Sequence, residues 1–259
     1  MGALMLAEGG TFQPPGAESF FLPPIFGGVT KPIVLVVASA IIVGAYYLIA
    51  TRNLKLVPGK GQFVAEFTYE FSRNKIAREQ IGAKDFRPFV PLIFALFTFV
   101  LVNNLFGIIP LIQFPTMSKI GFPIALAIVV YAVFHGVGFA RHGFLGYFKH
   151  IMFPPGVPKP IYLLLSPIEF LQKFVAQPAA LAVRVFAAMF AGHLILLVFT
   201  LGGEYLLVEA SVAFKPVSIV AFAFAIALTF VEALIQVLQA YIFALLTANF
   251  IGAALSEGH

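Results

Sequence analysis

The chain has 259 residues, of which 61% are hydrophobic and 10% are charged, and its mean hydropathy is +0.99. These values exclude a soluble globular domain and are typical of a polytopic membrane protein. The absence of cysteine excludes disulfides, thiol redox chemistry and cysteine-ligated metals, and the net charge of +5 informs on membrane orientation rather than on nucleic-acid binding.

The first thirty residues are rich in glycine and proline and lack a basic segment followed by a long apolar core. They predict a tail ordered by contact with the rest of the chain, not a cleaved signal peptide. Ile33 to Ala50 is then an apolar run of the length that crosses hydrocarbon, which predicts the first membrane span. We therefore divide the chain into an outer N-terminal tail, residues 1–30, and a single membrane domain, residues 31–259.

The stretch after the first span, residues 51–87, carries eight of the sixteen lysines and arginines. Within it Phe63, Phe67 and Phe71 recur near helical spacing among charged residues. This pattern predicts an amphipathic helix lying on the membrane surface. A solvated basic loop is the alternative interpretation.

Two further apolar runs, at about 89–112 and 120–139, predict a second and a third span joined by a short turn. Asn103 and Asn104 lie inside the second span, where an amide needs a hydrogen-bonding partner or water. Helix–helix contact is the expected role of one of them. The segment 141–160 is too interrupted by glycine and proline to form a span.

The last hundred residues contain two apolar stretches, about 168–201 and 216–252, that are longer than a membrane is thick. As helices they would measure about 50 and 55 Å against about 30 Å of hydrocarbon. They must tilt strongly or break, and Pro178 is the internal position where the first could kink. We predict an all-α polytopic membrane protein with about five passages, ending in a long, strongly tilted helical hairpin.

The basic residues predict the orientation of the chain. The loops after the first and third spans carry eleven lysines and arginines, whereas the opposite face carries three. Positively charged loops stay in the cytoplasm, so the N-terminus is expected outside and the C-terminus in the cytoplasm. The absence of an import-like leader favours a bacterial plasma (inner) membrane over an organelle.

A single arginine, Arg184, stands near the middle of the fourth apolar stretch. An ionised guanidinium at that depth costs a few kcal/mol or more, which indicates a function. At about 100° per residue, Ala188 and Ala191 share its face, and such small residues let another helix approach closely. His193, nine residues on, projects to the opposite side of the helix.

The last stretch carries a polar stripe, because Glu232, Gln236 and Gln239 are spaced by four and three residues. Glu232 is expected at a membrane depth comparable to that of Arg184. In one interpretation these two residues form an internal ion pair and His193 is a hydrogen-bonded core residue. In the other, His193, Glu232 and Gln239 line a wet proton path, and Arg184, which keeps its proton, is a fixed barrier on it.

Five segments of the chain carry distinctive patterns: VNNLFGIIP (Val102–Pro110), PPGVPKP (Pro154–Pro160), SPIEFL (Ser166–Leu171), ALAVRVFAAMFAGHLIL (Ala180–Leu196) and EALIQVLQAYIFALLT (Glu232–Thr247). The most specific part is an intramembrane arginine followed nine residues later by the histidine of Ala-Gly-His, and then by Glu-x6-Gln-Ala-Tyr-Ile-Phe. These segments resemble subunit a of the rotary (F-type) ATP synthases. They occur in that family's order and spacing, and the similarity covers nearly all of the chain beyond residue 30.

The resemblance implies a proton-conducting stator subunit with two offset half-channels beside a rotating c-ring of small carboxyl-bearing subunits. Arg184 matches the essential arginine that faces the ring. His193 and Glu232 match two relay positions of the outer half-channel, which other members fill with the two residue types exchanged. Gln239 matches the glutamine near the arginine, and Asn104 matches a half-channel asparagine.

The same resemblance implies a peripheral-stalk subunit b as a further partner within the ATP synthase complex. The ATP chemistry would belong to other subunits, so the chain is expected to be non-catalytic and without a cofactor or metal; it contains no phosphate-binding glycine motif. Ala188 departs from the family, which usually has asparagine there. A stand-alone cation or proton transporter is the alternative function, and the sequence leaves open both the coupling ion, H⁺ or Na⁺, and the size of the ring.

Overall fold

A computed structural model describes residues 12–152 and 161–256 of the chain. In that part, a short antiparallel hairpin of β1 (Pro24–Phe26) and β2 (Val29–Thr30) leads directly into the first helix. The helices are α1 (Lys31–Ala50), α2 (Lys60–Glu70), α3 (Arg78–Ile81), α4 (Val90–Leu105), α5 (Gly121–His142), α6 (Phe144–Met152), α7 (Tyr162–Leu171), α8 (Gln177–Val208) and α9 (Lys215–Leu255).

Five helical stretches are long and apolar enough to cross a membrane. They confirm the all-α class, the five passages and the long C-terminal helices that the sequence predicts. The tilt of the last two stretches stays a prediction. The stretches are Lys31–Ala50, Arg87–Leu105, Gly121–His142, Tyr162–Val208 and Val212–Leu255.

The second passage is shorter than the apolar run that predicts it. Helix α4 ends at Leu105, seven residues before Ile112, and the chain then turns through Leu111 and Gln113, whose φ angles are 77° and 43°. A backbone hydrogen bond from Phe114 back to the carbonyl of Phe106, 3.1 Å long, closes this turn. The apolar side chains here belong to a folded loop, so hydropathy alone overestimates the length of the span.

The segment 141–160 contains α6, whose nine residues are too few to cross a membrane, as expected. The proline-rich PPGVPKP stretch, residues 154–160, lies outside the described residues. Helices α7 and α8 are joined without a break by a π-helical turn, Gln172–Ala176. This turn lies directly before Pro178, and the irregular hydrogen bonding accommodates a proline that has no N–H to donate.

Residues 60–81 of the basic region after α1 are helical, so this part of the region is not a solvated loop. Helices α2 and α3 are joined by a π-helical segment, Phe71–Ala77, into one continuous stretch. The rings of Phe63 and Phe67 stack on its exposed side, whereas Ile76 and Ala77 are fully buried. The stretch is therefore amphipathic, as predicted, and its contact with a membrane surface stays a prediction.

Helices α8 and α9 pack along each other as a hairpin, and α4 and α5 pack against this pair. Helix α1 lies at the edge and contacts α4. Asn103 of α4 links α1 and the loop before α5. Its Nδ2 donates to Ser39 Oγ over 2.7 Å, and its Oδ1 accepts from Thr116 Oγ1 over 2.6 Å. It thus takes the helix-contact role expected for one of the two asparagines.

The hydrophobic core lies between α4, α5, α8 and α9. It includes Ile93, Val100, Val130, Leu181, Val185, Met189, Ala240, Phe243 and Ala244.

Candidate functional site

Arg184 lies on an exposed side of α8 that is lined by small residues. Ala180, Ala187 and Ala191 are exposed beside it, and Ala188 is half-buried. Among the described residues, its guanidinium has no ion pair and no hydrogen bond. We call Ala180, Arg184, Ala187 and Ala191 the arginine face. An unpaired charge on an alanine-lined surface is suited to a partner helix that brings an acidic group.

His193 lies on the opposite side of α8 and is buried, with 3% of its surface exposed. Its Nδ1 is 3.4 Å from Oε1 of Glu232 on α9, which is also buried. Glu232 is therefore not level with Arg184 along α8, whereas the common membrane depth expected of the two residues depends on the tilt of the helices and stays a prediction. Because α8 and α9 are antiparallel, their register sets Glu232 level with His193, about 14 Å along α8 from Arg184. The internal Arg184–Glu232 ion pair is not formed.

Three amides extend this pair along α9 and α4. Gln236 Nε2 donates to Glu232 Oε1 over 3.1 Å, and Asn104 Nδ2 donates to the carbonyl oxygen of Gln236 over 3.2 Å. Gln239, one turn further along α9, is buried on the same side. We call Asn104, His193, Glu232, Gln236 and Gln239 the polar cluster. The structure thus brings His193, Glu232 and Asn104 together through Gln236. Gln239 lies about 10 Å along α9 from Glu232, toward the level of Arg184, and contacts none of the three through a hydrogen bond.

Every member of the polar cluster has a buried side-chain atom without a hydrogen-bond partner among residues 12–152 and 161–256. For His193 Nδ1 this means that the 3.4 Å approach to Glu232 Oε1 lacks hydrogen-bond geometry. Burying such atoms unpaired costs about 1–3 kcal/mol each, so a cluster of this kind suits hydrogen-bonded water. The atoms are Asn104 Oδ1, His193 Nδ1, Glu232 Oε2, Gln236 Oε1 and Gln239 Nε2.

A cavity of about 390 Å³ connects His193 to the end of α8 near Glu204. Its remaining wall is formed by Thr229 of α9, by the loop after α4 and by the segment before β1. The cavity therefore follows α8 for about three turns, from His193 toward the end of the helix near Glu204. Its lining residues are Ser19, Phe20, Gly107, Ile108, Gln113, Phe114, His193, Leu196, Leu197, Thr200, Leu201, Glu204 and Thr229.

Gln236 is the site residue to which sequence reasoning assigned no role. Its place in the polar stripe was the available signal, but only the structure shows that it bridges Glu232 and Asn104. The described residues contain no group of three or more histidine and acidic side chains that could hold a metal ion.

Comparison with known proteins identifies the family of the chain. Residues 32–252 match the family described as ATP synthase A chain. The chain belongs to this family. A protein named ATP synthase subunit a from a Nocardioides species is 45% identical, over 98% of this chain and 96% of that protein. The proteins of the same name from Pseudarthrobacter chlorophenolicus and Streptomyces lividans are 44% and 40% identical, over 98% and 97% of this chain and 97% and 91% of their own lengths. With its five apolar passages, this member of the ATP synthase A chain family is a multi-pass membrane protein.

Proposed function

We propose that the chain is the non-catalytic, proton-conducting stator subunit of a rotary ATP synthase. In this role it provides two offset half-channels that protonate and deprotonate the carboxylates of a rotating c-ring. The observation that carries the proposal is the arrangement of two surfaces of α8 back to back. Arg184 stands exposed and unpaired on one side in the described structure, and the cavity ends at buried His193 on the other.

The outer half-channel begins in the cavity and continues through the polar cluster. A proton taken up at one imidazole nitrogen of His193 is released from the ring toward the carboxylate of Glu232, 3.4 Å away. Gln236, donating to the same carboxylate oxygen, holds Glu232 turned toward the histidine. Water bridging the unpaired atoms of the cluster carries the proton onward to a ring carboxylate.

Arg184 separates this outer path from an inner one. A protonated ring carboxyl group is neutral and can move into lipid, whereas a charged carboxylate there would be too costly. As the ring completes its turn, the next carboxyl group meets the guanidinium and loses its proton to the inner side, because the fixed positive charge favours the ionised form. Each proton crossing releases about 2.3 kcal/mol per 100 mV of membrane potential.

The proposal includes a location and partners. The chain resides in the bacterial plasma (inner) membrane, with the N-terminus outside and the C-terminus in the cytoplasm. The arginine face meets the c-ring, and a peripheral-stalk subunit b holds the chain against rotation.

Purification of the tagged chain under mild conditions tests this proposal. We expect it to bring down a ring of small, very apolar subunits together with ATP hydrolase activity. A self-contained homo-oligomer without such subunits would contradict the proposal and would support a stand-alone cation or proton transporter.

Gly107 provides a second test, because it leaves room for the amide of Gln236. A Cβ atom at this position would lie 2.8 Å from Gln236 Nε2 and 3.2 Å from the carbonyl oxygen of Asn104. We therefore expect Gly107→Ala to displace Gln236 from Glu232 and to lower proton-driven ATP synthesis about ten-fold, as small misplacements of reacting groups do. Synthesis is measured in membrane vesicles after an imposed pH jump. Gly44→Ala on α1 is the control, since no heavy atom lies within 4 Å of its added Cβ; equal rates in both variants would contradict the role of Gln236.

A further inference from the structure

The segment that precedes α1, residues 12–30, folds back over the outer end of α8. The ring of Phe12 packs against Tyr205 near the end of α8, with ring centroids 5.4 Å apart. The ring of Phe21 lies 3.7 Å from Lys119 Nζ in the loop before α5. At the start of α1, Lys31 Nζ donates to the carbonyl oxygen of Ile112 over 2.6 Å. The segment therefore contacts the rest of the chain at both of its ends and in its middle.

Between these contacts the segment inserts one aromatic side chain, Phe20, into the site. Phe20 is 2% exposed, although both of its neighbours in sequence are more accessible. Its ring centroid lies 4.6 Å from that of Phe190 and 6.2 Å from that of Phe114. It also contacts the imidazole of His193 edge to face, with centroids 6.0 Å apart.

Phe20 lines the end of the cavity at which His193 also lies. The imidazole therefore has Glu232 on one side, the cavity on another and the phenyl ring of Phe20 on a third. An aromatic ring in this place fills the volume into which the imidazole could turn away from Glu232. The phenyl ring also covers the side of the imidazole that faces the segment 12–30.

We propose that Phe20 is a positioning residue for His193, and that the segment 12–30 is the wall that restricts access to this histidine to a single path. The proposal rests on the proposed function for its effect on proton transport, but not for its effect on access. A side chain smaller than phenylalanine at position 20 should widen the approach to position 193 and let the imidazole rotate out of line with Glu232.

Access is tested first, with a single introduced cysteine. The chain contains no cysteine, so the thiol of a His193→Cys variant is the only one in this subunit. In right-side-out membrane vesicles with the assembled complex, a small charged methanethiosulfonate is added and labelling of this subunit is followed in time. We expect slow labelling with Phe20 present and labelling several-fold faster when Phe20→Ala is added. Should the alanine variant fail to accumulate, Phe20→Leu and Phe20→Val should give a graded increase as the side chain shrinks. The same labelling rate across this series would overturn the proposal.

Transport is tested second, in the chain that retains His193. We expect Phe20→Ala to lower proton-driven ATP synthesis roughly ten-fold, the scale on which misalignment of reacting groups acts. Phe20→Leu should restore most of the rate because it refills the volume. Ile25→Ala is the control, since Ile25 is an exposed residue of the same segment. A wild-type rate in Phe20→Ala would overturn the positioning role.

The two measurements separate this proposal from the proposed function. Labelling at position 193 reports access in the assembled subunit whether or not protons move through it. If His193→Gln leaves ATP synthesis intact, the proposed function fails. The labelling experiment then still tests whether the side chain at position 20 restricts access to position 193. If His193→Gln abolishes synthesis but neither labelling nor synthesis responds to Phe20→Ala, the proposed function stands and the role of Phe20 is refuted.

Discussion

Replacing Arg184 with alanine is expected to abolish ATP synthesis driven by an imposed proton gradient while leaving the complex assembled. The guanidinium is exposed and unpaired in the described structure, so its removal takes away no internal ion pair, and alanine is a strong helix former. Under the proposed function, what is lost is the fixed positive charge that makes a ring carboxyl group give up its proton. The measurement is the initial rate of ATP formation in inverted membrane vesicles after a pH jump, normalised to the amount of subunit.

The matched control is Val183→Ala, at the adjacent exposed position of the same helix. This change removes side-chain volume from the lipid- or partner-facing surface without touching a charge, and it should leave synthesis close to wild type. ATP synthesis undiminished in Arg184→Ala, at normal subunit levels, would refute the assigned role of the arginine.

Exchanging His193 and Glu232 is expected to restore much of the activity that either single change destroys. The two side chains face each other across α8 and α9 at 3.4 Å, and both are buried. Single changes to glutamine remove one titratable partner and should lower the rate about a hundred-fold or more, the usual contribution of a positioned acid or base. The double variant His193→Glu with Glu232→His keeps one imidazole and one carboxyl group at the same two positions. The rate of this double variant should lie within about ten-fold of wild type. The exchange alters the distances between the two groups and their neighbours, but it keeps the same two titratable groups.

The same gradient-driven assay measures all four proteins, with Glu209→Gln as a control because this carboxylate is exposed at the end of α8 and takes no part in the cluster. The pair would lose its assigned role if the exchanged variant were no better than the single ones. Wild-type rates in both single variants would exclude the pair from the path altogether.

Helical periodicity was enough to predict which way the residues of α8 face. A rotation of about 100° per residue turns His193 away from Arg184 across nine residues, and the structure places the first inside and the second outside. The five passages were likewise predictable, because long apolar runs have few other folds available in a membrane.

The position of Glu232 beside His193, and not beside Arg184, was not predictable by the same means. Periodicity fixes directions within one helix, but the register between α8 and α9 depends on how the turn and the side chains of both helices pack. The early end of α4 has a similar cause, since the loop that follows this helix is apolar and packs against other parts of the chain. The contact of Phe20 with His193 joins residues far apart in sequence, and no local pattern signals it.

The central claim is that Arg184 separates two proton paths, and one measurement tests it most directly. Inverted vesicles carrying the whole complex are given a pH gradient, first without ADP and then with it, and gradient decay and ATP formation are followed together. Wild-type vesicles should hold the gradient without ADP, whereas Arg184→Ala vesicles should lose it in both conditions and form no ATP. Arg184→Ala vesicles that hold the gradient without ADP and form ATP at the wild-type rate with it would contradict the claim.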